Sequence, residues 1–128
     1  MRAYMSMPFS SLGRYGLALI VVLCLGYLQT ASAMSIRELG ALKRVNPKQG
    51  ADFALYYLVG TMEATVNADQ AATRAGAAPR ICLNGRRLEP SMAVSIYSAE
   101  LRRNAELYEA DMPVALVMMN ALATVYSC

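Results

Sequence analysis

The sequence of 128 residues contains no histidine and no tryptophan, and only three cysteines. Without an imidazole the chain lacks the commonest general base, the Ser–His and Cys–His nucleophile pairs and the usual catalytic zinc ligands. It also has no glycine-rich phosphate loop, no Cys-x-x-Cys pair and no Gly-x-Ser-x-Gly motif. Its nine acidic residues are scattered along the chain. We therefore expect a protein that is not an enzyme and that uses no cofactor or metal ion.

A strong excess of one charge is also absent. The net charge is +3, and Arg2 and Arg14 in the first segment supply two of these charges, which leaves +1 for the remainder. A nearly neutral domain lacks the basic surface that nucleic-acid binding usually requires. The Arg-Arg pairs at 86–87 and 102–103 have acidic neighbours. This pattern favours a solvated helix or loop face over an anion-binding site.

The one long apolar run, residues 16–28, follows these two arginines and contains 13 residues. At about 1.5 Å per residue it would cover roughly 20 Å, which is short of the ~30 Å hydrocarbon core of a membrane. Ala31 and Ala33 then offer small side chains at the positions that a signal peptidase reads. The pattern predicts a cleaved signal peptide over residues 1–33 and an exported domain over residues 34–128, without stable membrane insertion.

Cleavage would remove Cys24 and leave two cysteines, Cys82 and Cys128. In an oxidising compartment such a pair favours a disulfide, because two sulfurs without histidine make a poor metal site. Closing a loop with 45 intervening residues is worth roughly 4 kcal/mol in the chain-entropy model, against a typical stability of about 5–15 kcal/mol. We expect this disulfide to hold the last helix to the middle of the chain.

Capping signals predict the first two helices of the domain. Ser35 and Glu38 have capping-box spacing before a helix that should end at Asn46, because Pro47 follows. Asn46 and Pro47 then suit the N-cap and first position of a long helix over about 47–72. Gly60 within it indicates a close crossing of a neighbouring helix. The expected apolar face of the long helix comprises Ala51, Leu55, Leu58, Met62 and Val66.

Two further helices complete the predicted fold. A connector with a sharp turn at Asn84-Gly85 should lead to a third helix over about 90–109, and Pro113 should open a fourth, the most buried. No segment alternates like a strand, so we expect an all-α bundle of about four helices with one disulfide. The expected apolar face of the third helix comprises Val94, Tyr97, Leu101, Ala105 and Tyr108.

Ten positions of the predicted helices and the connector form a recognisable pattern. They are Tyr57, Gly60, Glu63, Ala64, Cys82, Pro113, Ala121, Leu122, Tyr126 and Cys128. The pattern resembles that of the Tai/Rap-type family of type VI secretion immunity proteins. That family has a tyrosine-bearing helix with a glycine and an acidic–alanine pair, a cysteine that opens the central loop, a proline-initiated last helix with an Ala-Leu pair, and a final aromatic-x-Cys. The chain departs from the family pattern at Asn84 and Ser127, where proline is common.

The resemblance implies a periplasmic protein that binds a secreted peptidoglycan amidase effector and blocks its active site by occlusion. Members of the family can be dimeric, so a homodimer is an open alternative to a monomer. We assign partner binding to the loop after Cys82, with an ordinary solvated turn as the alternative. The residues of this assignment are Asn84, Gly85, Arg86, Arg87 and Glu89.

Two other interpretations fit the same outline. Small exported helical proteins with one disulfide include periplasmic acid-stress chaperones, which loosen at low pH. Without histidine only carboxylates could trigger such a change, which would require a pH below about 4–5. The fold could also serve in an exported protein with no toxin partner, because fold does not fix function.

Overall fold

The computed structural model describes residues 33–128. The predicted signal peptide therefore lies outside the described residues except for Ala33, and Cys24 lies outside them as well. Within the described range the chain forms four α-helices and one 3₁₀ turn and has no strand, which confirms the all-α prediction. The elements are α1 (Ile36–Val45), α2 (Pro47–Arg74), α3 (Met92–Arg103), the 3₁₀ turn (Ala105–Leu107) and α4 (Val114–Val125).

The long helix α2 contacts all three other helices, and α3 also packs against α4. The core lies where α2 and α4 face each other, and α4 buries a larger share of its residues than α2 does. Two methionines, Met62 and Met118, are completely enclosed there, as expected for methionine at helical spacing. The largest fully buried side chains are Leu58, Met62, Met118, Leu122, Val114 and Val117.

The predicted starts of α1 and α2 are confirmed. Ser35 accepts a hydrogen bond from the Glu38 backbone N–H, and the Glu38 carboxylate accepts one from the Ser35 N–H at 2.7 Å, which completes the capping box. The bonds that Ser35 donates to this carboxylate hold the pKa of Glu38 below its usual value. Asn46 caps α2 by accepting from the Gln49 N–H at 3.2 Å. Both caps satisfy N–H groups that a helix cannot pair internally.

A backbone contact fastens the start of α1 to the start of α4. The N–H groups of Ile36 and Arg37 donate to the carbonyls of Met112 (3.0 Å) and Ala110 (2.8 Å). In the other direction, the Val114 N–H donates to the Met34 carbonyl at 3.0 Å. These bonds give partners to two first-turn donors of α1 and hold residues 34–37 against the connector that precedes α4.

The predicted extent of α3 is wrong at its end: the helix stops at Arg103 and does not continue to residue 109. A buried polar network replaces the expected last turns. Glu100, only 2% exposed, accepts hydrogen bonds at one carboxylate oxygen from the Asn104 amide and the Tyr108 hydroxyl, each at 2.8 Å. Asn120 of α4 donates to the same hydroxyl at 3.0 Å. One oxygen of the buried carboxylate is thus paired by residues beyond the helix, the other has no partner within the described residues, and Ala105 is exposed.

The predicted helix crossing at Gly60 is also wrong, because Gly60 faces open space and a Cβ there would touch nothing. The close approach is at Gly50, where a Cβ would overlap with the Leu42 carbonyl group of α1. The buried face of α2 accordingly begins with Gly50 and Ala54, and Ala51 is exposed. Glycine is required at position 50 because the backbones of α1 and α2 meet there.

The two glycines should respond oppositely to alanine. We expect Gly60→Ala to raise the free energy of unfolding by about 0.5–1 kcal/mol, because alanine favours the helix and meets no neighbour. Gly50→Ala should lower it by about 1–3 kcal/mol, because the methyl group overlaps with backbone. Urea unfolding of both variants measures this difference. Equal effects of the two substitutions would contradict the assigned crossing.

Because the Tyr97 side chain is buried, we expect the protein to lose stability at high pH. The Tyr97 hydroxyl has no hydrogen-bond partner among the described residues, and burial, with a smaller contribution from nearby Tyr57, raises its pKa to about 12. An unfolded tyrosine ionises near pH 10. The stability that neutral Tyr97 contributes below pH 10 should therefore be lost as the pH rises from about 10 to 12.

Tyr97→Phe tests this expectation, because phenylalanine keeps the ring and removes both the hydroxyl and its titration. The variant should be nearly as stable as the parent at pH 7, since the lost hydroxyl has no partner. Urea unfolding at pH 8 and pH 11 should show a smaller decrease for the variant than for the parent. The same decrease in both proteins would rule out Tyr97 as the source.

Candidate functional site

The candidate site is the central loop, residues 82–89, which lies in the non-helical connection between α2 and α3. Cys82 forms a disulfide with Cys128, with 4.9 Å between their Cα atoms, as predicted. Next to it, the Cys82 N–H donates to the Tyr126 carbonyl at 2.7 Å. The start of the loop is thus joined to the residues that follow α4 by one covalent bond and one backbone hydrogen bond.

The predicted turn at Asn84-Gly85 forms the tip of the central loop. Both residues have positive φ, 51° and 77°, and the Arg86 N–H donates to the Leu83 carbonyl at 2.9 Å. Positive φ at both central positions is the pattern of a type I′ turn, which asparagine and glycine adopt most readily. The turn exposes Asn84 and Gly85 to solvent, while Leu83 on its near side packs against the core.

Arg86 stabilises the loop that carries it. Its Nε donates to the Leu83 carbonyl at 3.0 Å, and a terminal nitrogen donates to the Cys82 carbonyl at 3.3 Å. The guanidinium carbon also lies 4.6 Å from the centre of the Tyr126 ring, which is a cation–π contact. Arg86 therefore links the turn to Tyr126, whose carbonyl also accepts the hydrogen bond from the Cys82 N–H.

The other charged residues of the loop have fewer contacts. Arg87 and Glu89 are exposed, and neither side chain forms a hydrogen bond or ion pair within the described residues. The backbone of Glu89 leads into α3, because its carbonyl accepts from the Met92 N–H at 2.9 Å. The five assigned residues thus lie on one exposed loop, where Arg86 contacts other parts of the protein and the side chain of Arg87 makes no such contact within the described residues.

Asp69 was missing from the sequence prediction. It lies on α2, is buried, and accepts hydrogen bonds from the backbone N–H groups of Arg80 and Ile81, both at 3.2 Å. Its carboxylate therefore holds the chain just before Cys82. The available signal was its spacing, because Asp69 follows Met62 and Val66 on the apolar face of the predicted helix. An acidic residue there indicates a specific buried partner.

Two surface depressions lie away from the central loop. One, of about 350 Å³, lies between α2 and α4 and has an almost wholly apolar lining that includes Ala64, Ala68 and Met119. The other, of about 230 Å³, lies between α1 and α3 beside Gly40, Lys43 and Tyr97. Residues 33–128 contain no group of three or more possible metal ligands. In the same range, no helix is both long and apolar enough to cross a membrane.

Removing the Asp69 carboxylate should destabilise the protein and loosen the approach to the loop. We expect Asp69→Ala to lower the free energy of unfolding by about 3 kcal/mol, because it leaves two inward backbone N–H groups without their charged acceptor. Hydrogen exchange at the Arg80 and Ile81 amides should accelerate. Asp52→Ala, at an exposed position on the same helix, is the control and should change stability by less than about 0.5 kcal/mol. Equal effects would contradict the assigned role.

Comparison of the chain with family models, with curated proteins and with solved structures found no match. The resemblance to immunity proteins therefore stays a prediction that depends on the residues named above.

Proposed function

We propose that this protein is a periplasmic immunity protein that binds a type VI secretion peptidoglycan amidase and blocks its active site. The observation that carries the proposal is the central loop itself: an exposed turn with its base anchored to a helical scaffold. Occlusion requires a projecting element that keeps its shape in the partner's cleft. It requires no chemistry from the inhibitor.

The anchoring of the loop supports tight binding. Ordering a free loop on association costs free energy, so a loop that is already ordered loses less. Here the Cys82–Cys128 disulfide, the Cys82–Tyr126 hydrogen bond and the Arg86 contacts hold the base, and the turn geometry sets the tip. These restraints are present without a partner, so the loop would meet one already in its binding shape.

The contacts assign different roles to the two adjacent arginines. Arg86 is engaged by two carbonyls and the Tyr126 ring, so it maintains the loop. Arg87 has no such contact within residues 33–128 and would meet the partner directly, beside the exposed backbone of Asn84 and Gly85. Changing each arginine separately distinguishes binding from loop stability.

The test uses the exported, oxidised protein and peptidoglycan amidases from bacteria with a type VI secretion system. One amidase should be retained and inhibited. Arg87→Glu should then weaken binding at least tenfold without changing Tm, because it reverses an exposed charge next to the turn and breaks no hydrogen bond or ion pair among the described residues. Arg86→Glu should weaken binding and also lower Tm, because it breaks the cation–π contact. Arg103→Glu, an exposed change on α3, is the matched control and should leave both unchanged.

Two results would contradict the proposal in different ways. Full affinity of the Arg87→Glu variant would remove Arg87 from the binding surface but leave the immunity function standing. Failure to bind or inhibit any candidate amidase would reject the immunity function. In that case, suppression of client aggregation below about pH 4–5, measured by light scattering, would favour the chaperone alternative.

A further inference from the structure

The corner between α1 and α2 has an unusual surface. We name residues 43–53 the apex; a single non-helical residue, Asn46, joins the two helices there. Every residue of the apex except Gly50 is exposed to solvent. Val45 is 88% exposed and Phe53 is 55% exposed, although both have large apolar side chains. Large apolar residues that are exposed within one short segment can mark an interaction site.

Backbone contacts hold the exposed apex in place. Gly50 packs its backbone against the Leu42 carbonyl, and its N–H donates to the Asn46 carbonyl at 2.7 Å. The Asn46 side chain caps α2 at the same point. The connection between the two helices is therefore held by backbone contacts, and Val45 is exposed where α1 ends.

The apex is also basic. Lys43, Arg44 and Lys48 are exposed, and Asp52 is the single acidic residue of the segment. The ion pair found among residues 33–128 joins Arg37 to Asp111 and leaves these three cations without a salt bridge there. The apex therefore combines a net charge of +2 with a small projecting apolar surface, although the mature domain as a whole is almost neutral.

We propose that the apex binds the surface of an anionic phospholipid bilayer. Val45 and Phe53 enter the boundary between headgroups and acyl chains, and Lys43, Arg44 and Lys48 contact lipid phosphates. Stable attachment to a membrane surface usually needs two signals, and the apex offers an apolar one and a polybasic one. The attachment is peripheral, and it does not depend on the function proposed for the central loop.

The composition of the apex fits a lipid surface better than a protein partner. The centres of protein interfaces are depleted in lysine and enriched in aromatic residues. The apex has two lysines on flexible stems near the highly exposed Val45, and Phe53 is its one aromatic residue. Long cationic side chains can reach lipid phosphates while their apolar stems stay at the boundary. The positive charge of the apex is complementary to an anionic bilayer.

Vesicle sedimentation tests the proposal with the exported protein. Vesicles that contain phosphatidylglycerol should bind the protein, while purely phosphatidylcholine vesicles should not. Binding should fall steeply between 50 mM and 500 mM salt as the charges are screened. Each cation near an anionic surface is worth about fivefold in the partition coefficient. Lys43→Glu combined with Arg44→Glu should therefore reduce binding at least 25-fold.

Matched controls distinguish the contribution of the apex to binding from the effects of net charge and of exposed apolar residues elsewhere. Arg102→Glu combined with Arg103→Glu makes the same charge change on an exposed part of α3 and should reduce binding less than fivefold. Val45→Ser should weaken binding severalfold, whereas Leu107→Ser, at another exposed apolar position, should have no effect. All variants share one N-terminus, so any contribution from preceding residues cancels, and unchanged Tm values confirm their folding.

Three outcomes overturn the proposal. The first is the absence of binding to anionic vesicles, which would leave the apex to an acidic protein partner. The second is an equal loss of binding in the two double variants, because this would show a dependence on net charge alone. The third is an unchanged affinity after Lys43→Glu with Arg44→Glu.

Discussion

Burial of α4 is the constraint on which the rest of the structure depends. Val114, Val117, Met118 and Leu122 are fully enclosed, and a helix this apolar can be stable in water only with packing on several sides. The other helices provide that packing, with α2 against one side and α3 against another. The chain fastens both ends of α4, through the Met34–Val114 backbone bond at its start and the Cys82–Cys128 disulfide beyond its end. The Cys82–Cys128 disulfide also accounts for the position of the candidate site, because the bond that holds the chain after α4 also holds the start of the central loop.

Local signals in the sequence predicted the local parts of the structure. The capping box at Ser35, the cap at Asn46 and the turn at Asn84 each depend on a few adjacent residues, and all three are present. The predictions that failed depend on tertiary contacts between residues eight or more positions apart in the sequence. α3 ends early because Glu100 pairs with Tyr108 and, through it, with Asn120, and the helix crossing occurs at Gly50 because Leu42 happens to lie there. The helical periodicity of the sequence alone predicts neither the early end of α3 nor the position of the helix crossing.

The same distinction applies to the candidate site. The cysteine count was enough to predict the disulfide, and Asn84-Gly85 was enough to predict the turn. The Arg86 side chain contacts the ring of Tyr126, 40 positions away, so two adjacent arginines that look equivalent in sequence have different contacts. Asp69 was detectable in principle, since an acidic residue on an apolar face needs a partner, but only the structure shows that the partner is the backbone at Arg80 and Ile81.

The position of the disulfide also determines how the domain responds to a pulling force. The covalent ring from Cys82 to Cys128 contains α3 and α4, while α1 and α2 lie outside it. A force applied between the start of the domain and Cys128 can extend only α1, α2 and the connector that leads to Cys82, because the disulfide carries the load from Cys82 directly to Cys128. Residues inside the disulfide ring, which would span about 150 Å if fully extended, are not stretched by this force. An enzyme that unfolds the protein by pulling the chain through a pore from α1 would meet the disulfide at Cys82. It would then have to pass two segments of the chain through the pore together, or stop there.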